Sequence, residues 1–449
     1  MKLLEEVLGM IKPSEEERRL INEVIREVVD IAKAEIEKVE SEVTLHLVGS
    51  IAKDTYLSGD HDIDLFLAFP LDYSLEELRK RGLELAKAIG NHFENYEVTY
   101  AEHPYVRAIY KGFDVDIVPC YNVKSWKEVR TAVDRSILHT KWVIEHLNGR
   151  NDEVRLLKRF LKGINAYGSE VYVRGFSGYL TELLIIKYGS FLKLMENIEF
   201  LGKIKIIDLE GWLKKEPEIA YKTIEREGEK PLVVIDPVDP RRNVASALSW
   251  EKFGVFYFKA MELKENLKLE FFFPSKKKIG DYKVLLREKG TNLIVILFPK
   301  PELVDDVLIP QLERSAKGLE KSLKKEGFEV FDLNWGYKDK AFIMLEVDRI
   351  NRPRTKLKPG PEFLTNRALD FYGKNQKVWI RGKRLYSEKV VEEGVVEVIE
   401  NLFAKDQISL GKNIRESVKN ADILINFVPH ELEEEAYLFL SKEKWNVKA

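Results

Sequence analysis

Residues 46–69 carry the sequence pattern that is most informative about the fold. It runs HLVGSIAKDTYLSGDHDIDLFLAF, so a short apolar run ends in Gly49 and Ser50, and a second apolar run begins after eleven intervening residues. The second run opens with Asp62 and Asp64 on either side of an isoleucine. Side chains two apart in a strand share a face, so the two acids point the same way while their apolar neighbours point into a core. The pattern predicts two strands, with a pair of carboxylates at the start of the second.

The paired acids predict a site for metal and phosphate. Two adjacent carboxylates repel each other, and each favours its protonated form unless a cation lies between them. Hard divalent ions are bound by carboxylates together with substrate phosphates. Upstream, Gly49 allows the backbone to approach a phosphate closely, and the Ser50 hydroxyl adds a donor to the N–H groups of the helical turn that follows. We therefore expect this stretch to hold a nucleoside triphosphate and its Mg2+.

A later run, FDVDIVP, offers a third carboxylate for the same site. Asp114 and Asp116 share one face of the strand that this run predicts, and two magnesium ions close together need a shared cage of acids. The predicted reaction is in-line nucleotidyl transfer, in which one metal activates an attacking hydroxyl and the other neutralises the leaving pyrophosphate. The alternative is that acids at strand ends are solvated surface. No Gly-Lys pair is followed by Ser or Thr, which excludes a P-loop.

The composition excludes several other classes of protein. At 449 residues, with 45% hydrophobic and 33% charged residues, the chain is expected to form about two to four domains. Its net charge of −2 means that any nucleic-acid surface must be local. The single cysteine, Cys120, excludes internal disulfides and a cysteine-based zinc site, and it fits a reducing cytosol. The longest clean apolar run, about six residues, is too short to cross a membrane, so we expect a cytoplasmic protein without membrane contact.

Hydrophobic periodicity predicts an α+β multidomain chain in three parts. Residues 1–140 are expected to form a catalytic α/β head on a small mixed sheet, and residues 141–260 a helical domain. Residues 261–449 are expected to form an α+β body, with helices on one side of an antiparallel sheet, and a basic tail.

Four local expectations are specific enough to compare with a structure. Ser14 and Glu17 are predicted to form a capping box at the start of a long amphipathic helix. Residues 175–191 are predicted to be one largely buried helix, residues 235–243 (IDPVDPRRN) a loop, and residues 267–273 a strand.

The segment 352–389 is the best candidate for contact with RNA. It contains eleven Lys and Arg against three Asp and Glu. Basic clusters neutralise phosphates, and aromatic rings stack on exposed bases or on the end of an RNA helix. The alternative is a solvated basic loop whose aromatic side chains lie in the core. The aromatic residues concerned are Phe363, Phe371, Tyr372, Trp379 and Tyr386.

Several motifs together resemble a known family. The run G-S-x11-D-h-D, where h is hydrophobic, and the later D-h-V-P resemble the DNA polymerase β-like nucleotidyltransferase superfamily. The blocks VDIVPCY, DRSILHTKW, LLKRFLKGINAYGSE, GFSGYLTELL and DPVDPRRNVASALS, in this order, resemble the archaeal, class I CCA-adding enzymes over nearly the whole chain. The resemblance implies a polymerase β-like head, a helical central domain and an RRM-like α+β body with its tail.

The same resemblance implies a substrate and partners. Members of this family are tRNA nucleotidyltransferases, which add C, C and A to the tRNA 3′ end from CTP and ATP without a nucleic-acid template. The tail is then expected to grip the acceptor stem and upper half of tRNA through backbone and shape. Because the family is usually dimeric, a homodimer is also expected, although no residue pattern indicates an interface.

The resemblance assigns roles to residues near the opening stretch. Asp62, Asp64 and Asp116 are the implied catalytic, metal-binding carboxylates, and the first of them is often Glu in the family. Ser50 and Lys53 are implied to contact the triphosphate. The family usually has Arg where Lys53 stands, and lysine keeps the charge but lacks the planar fork of donors.

Further roles are implied for residues in the downstream blocks. His139, Lys158 and Tyr167 fall in blocks whose His, Lys and Tyr touch the phosphates and sugar. Arg242 matches the arginine that helps to set base choice, although Arg241 beside it could take that role. Each of the first three has a plainer alternative: a packed structural histidine, a solvated lysine, and a core aromatic at a helix C-terminus.

Two other functions remain open from the sequence. A poly(A) polymerase or an oligoadenylate synthetase of the same superfamily would use ATP alone on a different acceptor. A catalytically inactive RNA-binding protein could keep the fold, but the intact set of three acids argues against it.

Overall fold

The chain forms two compact units, one up to residue 276 and one from residue 277. The computed structural model describes residues 2–39, 42–100, 104–203, 206–275, 278–351, 355–390 and 394–442, without the side chains of Tyr100 and Lys356. None of the described helices is both long enough and apolar enough to cross a membrane. The expected boundary near residue 140 lies inside the first unit, and the division into three domains stays a prediction.

The first unit combines two sheets with a set of helices. Its helices are α1 (Lys2–Ile11), α2 (Glu15–Lys38), α3 (Gly49–Ala52), α4 (Leu75–Gly90), α5 (Arg135–Leu147), α6 (Asn151–Gly163), α7 (Gly178–Tyr188), α8 (Phe191–Glu196), α9 (Ile198–Leu201), α10 (Trp212–Lys215), α11 (Pro217–Glu227) and α12 (Trp250–Glu265). Its strands are β1 (Thr44–Val48), β2 (Asp62–Phe69), β3 (Asn95–Tyr100), β4 (Pro104–Tyr110), β5 (Phe113–Tyr121), β6 (Ile206–Asp208), β7 (Val233–Asp236) and β8 (Asp239–Asn243).

Residues 44–121 of the first unit contain the small mixed sheet that the sequence predicts. Its strand order is β1-β2-β5-β4-β3, with β2 and β5 parallel and the other neighbours antiparallel. Val28 of α2 and Leu78 of α4 are buried in the same apolar core as Leu65 of β2 and Ile117 of β5. The alternating side chains of β2 therefore bury its leucines and leave its acids on the other face.

The N-terminal cap of α2 differs from the predicted capping box. The Ser14 hydroxyl accepts from the Glu17 N–H, as expected. The Glu17 carboxylate, however, accepts from the Ser58 hydroxyl and the Gly59 N–H and lies 2.8 Å from the His61 ring. The predicted hydrogen bond from the Ser14 N–H to the Glu17 carboxylate is therefore wrong, because this carboxylate instead holds the loop that leads into β2.

The helix expected over residues 175–191 is interrupted at both ends. The Ser177 hydroxyl accepts from the Leu180 N–H, so α7 begins only at Gly178. Gly189 adopts the left-handed conformation, with φ of 90°, and ends α7 before α8 begins at Phe191. A glycine in this conformation is a common helix stop.

The loop expected over residues 235–243 is instead the end of β7, a turn and β8. These strands pair antiparallel beside β6. The Asn243 side chain accepts from the N–H groups of Val234 and Ala245, which supports the hairpin locally. The loop was predicted because Pro237, Pro240 and Asn243 favour turns, and this prediction was wrong.

The strand expected over residues 267–273 is also wrong. Residues Leu269–Phe271 form a short 3₁₀ turn. A Cβ atom on Gly163 would lie 2.2 Å from the Phe271 carbonyl oxygen, so the end of α6 lies directly against this turn. The Phe271 and Phe272 rings pack near Phe160. The apolar residues therefore serve side-chain packing and not strand pairing.

The second unit contains two antiparallel sheets and their helices. Its helices are α13 (Tyr282–Lys289), α14 (Asp305–Glu326), α15 (Asn366–Lys374), α16 (Val395–Ala404), α17 (Arg415–Lys419) and α18 (Glu433–Ser441). Its strands are β9 (Asn292–Pro299), β10 (Val330–Tyr337), β11 (Lys340–Val347), β12 (Thr355–Glu362), β13 (Val378–Arg381), β14 (Arg384–Val390) and β15 (Asp422–Ile425). The sheet orders are β10-β11-β9-β15 and β12-β14-β13.

The first of these sheets is covered on both faces. Leu293 and Val295 of β9 join the core formed with α13 and α18, while Ile294 and Ile296, on the opposite face, are also fully buried. The expectation of helices on one side only is therefore wrong. The continuous apolar run of β9 is the pattern of a strand that is buried on both faces.

Candidate active site

The acids of β2 and β5 meet because the two strands run parallel in register. Asp62 pairs with Asp114, and Asp64 pairs with Asp116. Neighbouring strands lie about 4.8 Å apart, and paired residues project to the same side of the sheet. The arrangement expected from the sequence, with both Asp-x-Asp pairs side by side, is what the structure contains.

Burial and mutual repulsion make this cluster unfavourable when it is fully charged. Burial raises the pKa of Asp64 to about 6, and the charges of Asp116 and Asp62 add to that rise. Burial also raises the pKa of Asp62, with Asp114 as the largest charge contribution. A cation bound among these oxygens would relieve both effects. The all-oxygen donor set therefore fits a hard divalent ion.

Arg107 of β4 is a cation already present at this site, and no motif in the sequence predicted it. Its guanidinium donates two hydrogen bonds to Asp116, with N···O distances of 2.9 and 3.1 Å. The pairing raises the pKa of Arg107 above its ordinary value. Across the described ranges of the chain, no three His, Cys, Asp or Glu side chains are already gathered closely enough to hold a metal. Arg107 therefore competes with any metal for the Asp116 carboxylate.

Gly49 lies directly against the paired acids. Its φ is +75°, and a Cβ atom at this position would lie 1.9 Å from Oδ2 of Asp64. The glycine is thus required both by the left-handed backbone and by the carboxylate. It opens α3, a single helical turn in which Ser50 is half-buried.

A buried ionic cluster continues from α3 into the helices. The Lys53 ammonium donates to Oε2 of Glu182 at 2.6 Å, and the Thr55 hydroxyl donates to Oε1 of the same residue at 2.7 Å. The Lys158 ammonium donates to the Thr55 carbonyl at 2.8 Å. Lys158 is only 3% exposed, which contradicts the alternative of a solvated lysine. Burial lowers the pKa of Lys158 to about 8, although Glu182 acts in the opposite direction.

Tyr167 lies beyond α6, on a bridge to Phe176. The expectation that it marks a helix C-terminus is wrong, since α6 ends at Gly163. Burial raises the pKa of Tyr167, and the charge of Glu182 adds to the rise. A Cβ atom on Gly178 would lie 3.0 Å from the Tyr167 hydroxyl. Tyr167 is thus packed near the same buried acid that holds Lys53.

A second buried cluster surrounds Asp236. Its Oδ2 accepts from Nε2 of His139 at 2.8 Å and from Arg242 at 2.9 Å, and its Oδ1 accepts from the Tyr179 hydroxyl at 3.2 Å. The rings of His139 and Tyr179 stack with centroids 4.0 Å apart. The Lys53 ammonium lies 5.9 Å from the Tyr179 ring centroid, so the two clusters adjoin.

The two neighbouring arginines of β8 face different surroundings. Arg242 joins the cluster with His139. Arg241 instead donates to both oxygens of Asp239 and to the Trp126 carbonyl, and its guanidinium lies 5.3 Å from the Trp126 ring centroid. Only Arg242 is therefore grouped with the other predicted nucleotide-binding residues.

Glu182 and Asp236 lie in the site, although neither was among the residues predicted from the sequence. A signal existed for each. Glu182 is the one acid in the apolar segment GYLTELLIIKY, and a lone buried charge requires a partner. In DPVDPRRN, two aspartates precede two arginines, a pattern that favours local ion pairs.

The basic segment forms the smaller sheet of the second unit. Residues 352–354 and the side chain of Lys356 lie outside the part of the chain that is described. Tyr372 is 65% exposed, and Phe363 and Trp379 are also at the surface. The Trp379 ring stacks on Tyr386 at 6.1 Å. The alternative that placed the aromatic rings in a core is therefore wrong for these three surface residues.

Comparison with known proteins identifies related families along the chain. A nucleotidyltransferase domain model matches residues 25–139, and a model for the second domain of tRNA nucleotidyltransferases matches residues 152–273. A model for the C-terminal domain of CCA-adding enzymes matches residues 289–426.

Whole-chain relatives are similar over their full length. A protein of Thermococcus gammatolerans named CCA-adding enzyme is 62% identical, with 100% of this chain and 99% of the relative aligned. Proteins of the same name from Thermococcus kodakarensis and Pyrococcus abyssi are 62% and 58% identical, each over at least 99% of both chains.

Proposed function

This chain belongs to the archaeal CCA-adding enzymes, which add C, C and A to the 3′ end of tRNA, and we propose how its residues perform that reaction. Asp62, Asp64 and Asp116 are the proposed catalytic carboxylates that bind two Mg2+ ions. The observation that supports this role is the parallel register that pairs Asp64 with Asp116 beside Gly49. Bound divalent ions supply a lowered pKa for the attacking 3′ hydroxyl and charge neutralisation for the leaving pyrophosphate.

The two buried lysines are the proposed partners of the CTP or ATP triphosphate. Lys53 and Lys158 lie next to each other around Thr55, and Glu182 balances their charge in the free protein. A triphosphate carries enough negative charge to replace that balance, so both ammonium groups can turn to phosphate oxygens. Ser50, on the turn that begins at Gly49, adds a hydroxyl donor in this proposal.

The second cluster, together with Tyr167 near Glu182, is the proposed site for the sugar and base. Tyr167 and His139 are assigned to the sugar and phosphates, and Arg242 to the base. Arg242 is preferred over Arg241 because it shares Asp236 with His139, whereas Arg241 is held by Asp239 and Trp126.

The basic, aromatic surface of the second unit is the proposed contact for the acceptor stem and upper half of tRNA. Its exposed rings and lysines suit backbone and shape contacts. A cytoplasmic location and a homodimer remain predictions that follow from the tRNA substrate and the family. The match of residues 289–426 to the C-terminal domain of CCA-adding enzymes disfavours both rival activities, a polymerase that uses ATP alone and an inactive RNA-binding protein.

A pair of matched variants tests the assignment of the third carboxylate. Asp116→Asn and Asp114→Asn remove the same charge from the same strand, but only Asp116 pairs with Asp64. We expect Asp116→Asn to lose at least about 100-fold in transfer rate with nearly unchanged tRNA binding, and Asp114→Asn to stay near wild type. Equal losses in the two variants, or a parallel loss of tRNA binding in Asp116→Asn, would refute the proposed role.

A further inference from the structure

The β7–β8 hairpin presents two buried aspartates that look equivalent in sequence but differ in surroundings. Asp236 and Asp239 are both fully buried, and each forms an ion pair with one arginine of the hairpin. Asp239 also binds Arg135, and with Arg241 it forms a cluster against Trp126. The two acids therefore offer a natural comparison within one hairpin.

Asp236 collects donors from three separate elements. His139 belongs to α5, Tyr179 to α7 and Arg242 to β8, and all three contact the one carboxylate. A carboxylate only accepts hydrogen bonds, so the His139 nitrogen that faces it carries a proton. The Asp236 carboxylate thus fixes the relative positions of an imidazole, a phenol and a guanidinium.

The Arg242 guanidinium is fixed at one end and open at the other. Within the described ranges, its hydrogen bond is the one from a terminal nitrogen to Asp236. The side chain is 34% exposed, and among the described residues its remaining guanidinium nitrogens are neither hydrogen-bonded to the protein nor fully buried, so they are available to a ligand. Arginine has donors and no acceptor, so whatever group it recognises must accept hydrogen bonds.

That donor-only surface has a direct consequence for nucleotide choice. On their Watson–Crick edges, cytosine N3 and adenine N1 are acceptors, whereas uracil N3 and guanine N1 carry protons. A guanidinium held in place would face a donor in UTP or GTP and leave both groups unpaired, which is costly in a buried site. A guanidinium free to move could withdraw from the wrong base and lose that discrimination.

We propose that Asp236 is a positioning residue for nucleotide choice, which acts by holding Arg242 and His139 in one fixed arrangement. This inference rests on the proposed function, in which Arg242 faces the base. Asp236 touches neither substrate nor metal in this role. Its effect reaches the nucleotide only through the residues that it holds.

The experiment compares Asp236→Asn with Asp239→Asn in full-length protein. Each variant extends tRNA ending at the discriminator base with CTP, ATP, UTP or GTP singly, and the ratio of kcat/KM for CTP over UTP is the readout. We expect Asp236→Asn to lower this ratio by about tenfold or more, since a charged hydrogen bond is removed. Asp239→Asn removes an equally buried charge and should keep the wild-type ratio.

A third variant separates positioning from a general structural role. Arg242→Met should lower the same ratio, and Asp236→Asn added to Arg242→Met should lower it no further, because Asp236 acts through Arg242. Arg242 is partly exposed, so a wild-type ratio in Arg242→Met overturns the inference even if Asp236→Asn fails to show the wild-type melting transition.

The results that would contradict the inference differ from the result that would contradict the proposed function. A wild-type ratio in Asp236→Asn or in Arg242→Met would overturn the inference, as would an equal loss in Asp239→Asn. Wild-type protein that does not extend this tRNA with CTP would instead overturn the proposed function.

Discussion

Replacing Asp64 with asparagine should make the metal-free protein more stable while it abolishes transfer. Asparagine keeps the size of the protonated acid but removes the charge that burial, Asp116 and Asp62 oppose. In most proteins the loss of a buried hydrogen-bonding acid is destabilising. A gain in stability would indicate that Asp64 is kept for cation binding at a cost to the free protein.

The expected gain in unfolding free energy follows from the shifted pKa of Asp64. Folding raises this pKa from 3.8 to about 6, and each pH unit corresponds to about 1.4 kcal/mol, so the full penalty is about 3 kcal/mol. The folded protein holds this proton more tightly than the unfolded chain does. Raising the pH through the window from 3.8 to about 6 therefore destabilises the folded state, and the penalty is complete above that window.

The assay is denaturant unfolding of wild type and Asp64→Asn from pH 4 to pH 8 in a metal chelator. The variant should match wild type near pH 4 and exceed it by about 1–3 kcal/mol at pH 8. Asp114→Asn, at an exposed position of β5, is the control and should gain much less. With excess Mg2+, wild type should recover its deficit and the variant should not. A variant that is less stable than wild type at pH 8 without metal would refute the reasoning.

Four further predictions concern three residues of the candidate active site and one arginine of the basic surface. Gly49→Ala should reduce transfer by at least about tenfold, because the left-handed backbone is strained and the new Cβ displaces Asp64; steady-state kinetics measures the loss. Arg107→Met should tighten Mn2+ binding about fivefold in titration calorimetry, since a half-exposed competing ion pair is worth about 1 kcal/mol. Glu182→Gln should lower the melting temperature of the nucleotide-free protein in thermal unfolding, as it leaves buried lysine charge unpaired. Arg381→Gln should weaken tRNA binding equally for different tRNA sequences and reduce its salt dependence.

The shared face of Asp62 and Asp64 could be predicted from the sequence because side chains alternate strictly along a strand. Alternation with a period of two places Asp62 and Asp64 on one face and the intervening isoleucine in the core, whatever the rest of the chain does. The same rule places Asp116 on its strand. The one step that needed three-dimensional information was the register between β2 and β5, which depends on long-range pairing.

Partners supplied by distant segments could not be predicted. Glu17 is a suitable third residue for a capping box, but its carboxylate binds Ser58 and Gly59, more than 40 residues away. Glu182 meets Lys53 across 129 positions, and no local pattern encodes that distance. Local rules predict which side chains share a face, while tertiary packing decides which charges meet.

The hairpin of β7 and β8 shows a third reason why part of the fold could not be predicted from the sequence. Proline removes a backbone donor, and both proline and asparagine favour turns, so Pro237, Pro240 and Asn243 predicted a loop. In the structure the Asn243 side chain supports the pairing. Its amide oxygen, in place of a backbone carbonyl, accepts hydrogen bonds from the N–H groups of Val234 and Ala245. Side-chain substitution for a backbone hydrogen bond is visible only once the neighbouring strands are known.

The most direct test of the central claim is extension of tRNA that ends at the discriminator base. The purified protein is given CTP alone, ATP alone, or both with Mg2+, and the products are sized and sequenced. We predict that CTP alone adds C and C, that ATP alone adds no tail, and that both together complete C, C and A. A poly(A) tail from ATP alone, or no extension under any of these conditions, would contradict the claim.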